Sequence, residues 1–117
     1  MPHAVLLGAT LAPTFPTGPF ARHDARIHRV LEIAESGAGW LLKCVIIEQG
    51  ATTKLLARID RRDDGLVVRL DDHMHVERTP AVFEHLGEIA RLTLAANPGA
   101  TVGPTNLQAW LAPKQSA

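Results

Sequence analysis

The sequence predicts a single α+β domain in which an antiparallel β-meander of three to five strands carries one long C-terminal helix on one face. Three observations support this two-layer fold. The length of 117 residues suits one domain. Residues 40–48 form an apolar run typical of a buried strand, residues 54–62 alternate with the period of a strand, and apolar residues recur with the period of a helix over residues 80–96. A sheet face and a helix stripe of this kind must be buried against each other.

Residues 1–22 are expected to form an extended N-terminal arm, because prolines interrupt them repeatedly. Each proline lacks a backbone donor and disfavours helical conformation in the residue before it. These prolines are Pro2, Pro13, Pro16 and Pro19. The apolar Phe15 and Phe20 would lay the arm over a hydrophobic surface or along a sheet edge.

Residues 24–77 are expected to supply the meander. The run from Trp40 to Glu48 is the clearest strand, since it is apolar and rich in Val and Ile. Residues 54–62 alternate, and the following Asp-Asp-Gly sequence is typical of a turn. Residues 24–36 fit either an amphipathic helix or a strand. Their β-branched residues, and the glycine-containing turn behind them, favour the strand.

Residues 79–97 contain the predicted helix. The hydroxyl of Thr79 can cap free N–H groups, and Pro80 suits the first helical position because its missing donor is not needed there. The Asn-Pro-Gly sequence that starts at Asn97 ends the helix. Residues 98–117 are then a tail with room for one short helical turn.

Composition argues against several classes of function. Twelve Lys and Arg balance twelve Asp and Glu, so no net field attracts the chain to nucleic acid or to an anionic membrane. The chain has no tyrosine and few other aromatic residues on which bases could stack. The arginines within residues 58–69 alternate with aspartates, which indicates a charge-balanced surface. Nucleic-acid binding through that hairpin stays a less favoured alternative.

Sequence features favour a cytoplasmic location. No segment approaches the roughly 20 apolar residues of a membrane-spanning helix. The apolar stretch near the N-terminus has no Lys or Arg before it, unlike a signal peptide. The only cysteine, Cys44, lies in an apolar run and has no partner for a disulfide within the chain.

Ionisable side chains are concentrated in the sequence Asp72-His73-Met74-His75-Val76-Glu77. A strand that continued through it would place His73, His75 and Glu77 on one face. Two imidazoles and a carboxylate could hold zinc or non-haem iron, or could act as acid and base without a metal. The competing interpretation is a pair of surface histidines at a loop entrance. We favour the latter, so a transition metal is not expected.

The strand at residues 40–48 is apolar on both sides, although one helix can cover only one face of a sheet. We therefore expect the N-terminal arm or a second copy to cover the other face, and we favour a homodimer. The candidate interface residues are Trp40, Leu42, Cys44, Ile46 and Trp110. The preferred functional interpretation is a small non-enzymatic binding or assembly module, and the alternative is a small enzyme that uses the cluster at residues 72–77.

Overall fold

The computed structural model describes residues 2–73 and 76–111, and an antiparallel sheet dominates them. The strands of this part of the chain are β1 (His3–Leu7), β2 (Ala21–His23), β3 (Arg26–Ser36), β4 (Gly39–Glu48), β5 (Ala51–Arg62), β6 (Gly65–Leu70) and β7 (Thr101–Thr105). Its helices are α1 (Pro80–Ala96) and α2 (Gln108–Leu111). The strands are hydrogen-bonded in the order β2-β3-β4-β5-β6-β1-β7 and curl into a half-barrel.

The predicted fold class is wrong in the number of strands and in the position of the helix. Seven strands lie within the described residues instead of three to five, and β7 and α2 follow α1. The difference arises because the arm, expected to be extended, supplies β1 and most of β2, and the tail supplies β7. β1 from the arm pairs with β6 on one side and with β7 from the tail on the other. Proline does not prevent this, since Pro2 precedes β1 and Pro104 lies in an edge strand.

Two local predictions are confirmed. Residues 26–36 form a strand, as their β-branched residues indicated. The antiparallel pairing of successive strands from β2 to β6 is also observed. At the start of α1, the Thr79 hydroxyl accepts a hydrogen bond from the Val82 backbone N–H at 3.4 Å.

The core lies between α1 and the concave face of the sheet, which we call the inner face. Leu86 and Ile89 of α1 are fully buried there, as are Leu42 and Ile46 of β4. Cys44 shares this face, and burial raises the pKa of its thiol to about 12, so the thiol is unreactive. None of the helices in the described ranges has the length and apolar character needed to cross a membrane.

The side chain of Asn97 joins the N-terminal arm to the end of α1. Its Oδ1 accepts hydrogen bonds from the backbone N–H groups of Thr10 and Leu11, both at 2.9 Å. Its Nδ2 donates to the carbonyl oxygens of Leu11 at 2.7 Å and Thr93 at 2.8 Å. The residue that ends α1 therefore also fixes the arm against it.

A β-bulge in β3 sets which side chains reach the outside of the sheet. Val30 pairs with Cys44, but Glu32 pairs with Lys43, so Leu31 is an extra residue without its own partner. The insertion keeps Ile33 opposite Leu42 on the inner face. It also leaves two adjacent residues, Leu31 and Glu32, on the convex face, which we call the outer face.

Candidate functional site

The outer face of β4 consists of its odd-numbered residues, because side chains of a strand alternate between faces. They are Leu41, Lys43, Val45 and Ile47. The interface candidates Leu42, Cys44 and Ile46 have the opposite orientation and are buried in the core of the chain itself. The structure thus explains their apolar character without a partner. A partner on the outer face would contact the odd-numbered residues of β4.

The two tryptophans named as interface candidates also have contacts within the chain. The Arg61 guanidinium carbon lies 4.3 Å from the centre of the Trp40 ring. Trp110 of α2 packs edge-on against Phe83 of α1, with ring centres 5.2 Å apart. Both indoles are only partly exposed.

Three strands of the outer face share a shallow apolar hollow of about 270 Å³. Its outer-face residues, which we call the outer patch, are Leu31, Lys43, Val45, Lys54 and Leu56. Leu31 is 56% exposed as a result of the bulge. The patch therefore presents a protruding apolar side chain next to a hollow.

Charges of both signs border the outer patch. On its β3 side, Oε2 of Glu32 forms an ion pair with the Lys43 amine at 3.1 Å. On its β5 side, Lys54 is exposed, and no carboxylate among the described residues lies within 4.0 Å of its amine. The outer face of β3 carries both signs, because Arg29 pairs with Val45 and lies on the same face as Glu32.

A second polar feature, the histidine cluster, lies between β3 and α1 on the inner face. His28 of β3 and His85 of α1 are both completely buried, and their Nδ1 atoms are 2.9 Å apart. The Nε2 atom of His28 is 2.7 Å from Oε1 of Glu84. The other oxygen of Glu84 accepts a hydrogen bond from Arg26 at 2.9 Å.

These contacts determine where the protons lie. A carboxylate only accepts hydrogen bonds, so His28 carries its proton on Nε2 and donates it to Glu84. The bare Nδ1 of His28 then accepts a hydrogen bond from Nδ1–H of His85. This leaves Nε2 of His85 as a buried lone pair that has no hydrogen-bond partner among the described residues.

Burial keeps both imidazoles neutral. It lowers the pKa of His28 below the ordinary value of 6.5, against the opposing effect of Glu84. It lowers the pKa of His85 to about 3, and the neighbouring His28 adds to this effect. Phe20 packs edge-on over His85 with ring centres 5.2 Å apart. Both rings are fully buried, and their contact joins β3 to α1.

β6, the strand that was expected to continue through the predicted metal ligands, ends before the first of them. β6 ends at Leu70, and the backbone turns at residues 71–73, where the His73 N–H donates to Asp71 at 2.9 Å. His73 and Glu77 are exposed, and His75 lies outside the described residues. Within residues 2–73 and 76–111, no group of three or more histidine, cysteine or acidic side chains is arranged to hold a metal ion.

The arginines of the β5–β6 hairpin are engaged within the chain. Asp60 accepts hydrogen bonds from Nε of both Arg58 and Arg69, each at 3.0 Å. Arg58 also donates to the carbonyl oxygen of Ser36 at 2.6 Å, and Arg62 pairs with Asp64 at 3.1 Å. The arrangement is that of a charge-balanced surface that ties neighbouring strands together.

Sequence reasoning missed both the outer patch and the histidine cluster. The only available signal for His28 was its spacing of two from the apolar Val30, which places both on one face of a strand. Nothing in the local sequence indicated the bulge at Leu31.

Comparison with models of known protein families found no match, and comparisons with curated proteins and with solved structures found none either.

Proposed function

We propose that this protein is a non-enzymatic assembly module that works as a homodimer, with the outer patch at the subunit interface. The supporting observation is Leu31, a large apolar side chain that is 56% exposed beside an apolar hollow. Uncovered apolar surface of this kind marks association sites, because its burial releases water from apolar area.

Several features suit the outer patch to a protein partner. It lies on the three central strands of the meander, which α1 supports from the opposite face. The apolar centre has lysines at its border, which matches the apolar core and polar rim of protein interfaces. Rigid strands also present this surface without a cost for ordering a loop.

The test is the molar mass of the purified protein in solution at micromolar concentration, measured by light scattering. We expect a dimer for the unmodified chain and a monomer for Leu31→Asp, because the substitution would bury a carboxylate in the interface. Leu11→Asp is the matched control. Leu11 is 61% exposed but belongs to the arm beside Asn97, so this variant should remain dimeric.

A monomeric unmodified protein at micromolar concentration would refute the proposal. A dimer that Leu31→Asp leaves intact would refute the assignment of the interface to the outer patch. Circular dichroism of each variant shows whether the fold is retained, and the exposed position of Leu31 makes a loss of fold unexpected.

A further inference from the structure

We infer that the homodimer becomes tighter as the salt concentration rises, because the two outer patches face each other with a net positive charge. This inference rests on the proposed function and specifies how association through that surface is regulated. It follows from two cations on the outer face, Arg29 and Lys54, which have no carboxylate partner within the described part of the chain.

The register of the strands puts these two cations at one level of the sheet. Arg29 of β3 pairs with Val45 of β4, and Val45 pairs with Lys54 of β5. Neighbouring strands are about 4.8 Å apart, so the two residues flank Val45 with a backbone separation of about 10 Å. Val45 is only 7% exposed although it lies on the outer face. The aliphatic stems of arginine and lysine cover apolar neighbours in this way and leave their charged ends in water.

The other charges of this surface do not offset Arg29 and Lys54. Glu32 and Lys43 form an ion pair with each other, so their charges cancel. Three cations and one carboxylate therefore leave two positive charges around the outer patch. The arginines of the neighbouring β5–β6 hairpin have aspartate partners of their own. Arg29 is also held in place, since its Nη2 donates to the carbonyl oxygen of Thr17 at 2.9 Å.

Two identical patches of this kind repel each other in every face-to-face orientation. A two-fold axis lays each patch over a copy of itself, so two positive charges face two positive charges wherever the axis runs. The whole chain has no net charge at pH 7, so the repulsion arises at the interface and not between distant molecules. The burial of apolar surface around Leu31 must exceed this repulsion for the dimer to form.

Dissolved salt weakens the repulsion over the distances found in a protein interface. The screening length falls from about 30 Å in 10 mM salt to about 8 Å in 150 mM salt. Sheets packed face to face are about 10 Å apart, so only the higher salt concentration screens charges strongly across the gap. Coulomb's law with the permittivity of water then gives a dissociation constant about threefold lower in 150 mM salt.

The experiment is analytical ultracentrifugation of a concentration series in 10 mM and in 150 mM sodium chloride. For the unmodified chain, the dissociation constant should fall about threefold between the two conditions. Lys54→Gln leaves one positive charge on each patch, so its dimer should be tighter in 10 mM salt and nearly independent of salt. Glu32→Gln leaves three positive charges, so the dependence should steepen to about tenfold.

Arg78→Gln is the matched control for the loss of one positive charge. Arg78 is exposed and lies just before α1, the helix that covers the inner face. The substitution changes the charge of the chain by the same amount as Lys54→Gln but leaves the outer patch as it is. Its dimer should therefore keep the dependence on salt of the unmodified chain.

The outcomes separate this inference from the proposed function. An unmodified chain that is monomeric in both salt concentrations overturns both. A dimer whose dissociation constant is unchanged or rises in 150 mM salt overturns the inference and leaves the homodimer in place. An equal decrease in the unmodified chain and in Lys54→Gln also overturns it, because salt would then act on the apolar contact. A decrease in the unmodified chain and in Arg78→Gln that Lys54→Gln abolishes supports it.

Discussion

The hydrogen bonds of the buried histidine pair have a defined direction, because one carboxylate fixes the position of the proton on His28. Glu84 accepts from Nε2 of His28, and the proton on His85 follows from that choice. Arg26 binds the other oxygen of the same carboxylate at 2.9 Å. A buried imidazole that lost this acceptor would have no water to replace it, since His28 is fully buried.

The effect of Glu84 can be separated from that of an ordinary ion pair by comparison with Glu88. The two carboxylates lie one helical turn apart, with exposures of 15% and 16%, and each binds a histidine. Glu84→Gln should lower the free energy of unfolding by about 1.5–3 kcal/mol, the range for hydrogen bonds to charged groups. Glu88→Gln should cost less, because its partner His23 is 19% exposed and can bind water. Urea denaturation of both variants at pH 7 checks this, and a larger loss for Glu88→Gln would contradict the assignment.

At the scale of elements, the bulge in β3 explains why residues 24–36 fit two interpretations. Its inward residues are His28, Val30 and Ile33, so their spacing changes from two to three at the bulge. A spacing of three is typical of a helix, and a pattern that mixes both periods cannot be assigned by period alone. Strand preference of the β-branched residues was the stronger signal.

The sequence predicted α1 better than the strands at either end, for a physical reason. Its cap and its stop are local signals, provided by Thr79 and Asn97. β1 is defined by its pairing with β6 and β7, across separations that range from 58 residues (Leu7 to Gly65) to 101 residues (Ala4 to Thr105). No local pattern specifies such pairing. The outer patch was missed for the same reason, because it depends on three strands and a bulge.

The contact between α1 and α2 depends on a glycine. A Cβ at Gly87 would lie 2.7 Å from Cβ of Trp110, closer than real contacts. Gly87→Ala should therefore displace α2 and destabilise the protein, although alanine normally stabilises a helix by about 1 kcal/mol relative to glycine. Fluorescence of Trp110 in a Trp40→Phe background reports the displacement, and urea denaturation reports the stability. A stabilised Gly87→Ala variant with unchanged fluorescence would show that α2 does not pack against this position. As a control, Ala95→Gly on the exposed side of α1 measures the difference in helix preference between alanine and glycine without a contact to α2.

For the molecule as a whole, the histidine cluster makes the packing of α1 on the inner face of the sheet dependent on pH. α1 covers the inner face, and its polar contacts to the edge of the sheet include those with His28, His23 and Arg26. The titratable groups that face the buried pair are Glu84, Glu88 and His23. Protonation of two rings whose Nδ1 atoms are 2.9 Å apart would place like charges in contact, so acid opposes the docked position of α1.

We expect the free energy of unfolding to fall as the pH is lowered from 7 to 5. The pKa of His85 is lowered to about 3 in the folded chain, whereas an unfolded histidine titrates near 6.5, so the unfolded state binds more protons throughout this interval. His85 alone then accounts for a loss of about 2 kcal/mol, and His28, whose pKa is also lowered, acts in the same direction. The stabilising effect is complete above pH 6.5 and is lost as the pH falls towards the folded pKa. Most carboxylates titrate below this interval, so the pH dependence of the free energy of unfolding within it comes mainly from the histidines.

Urea denaturation at pH 5, 6 and 7 measures the slope of the free energy of unfolding against pH. His85→Gln, which keeps a side-chain donor without a titrating group, should reduce this slope. An equal slope in both proteins would mean that His85 does not remain neutral in the folded core.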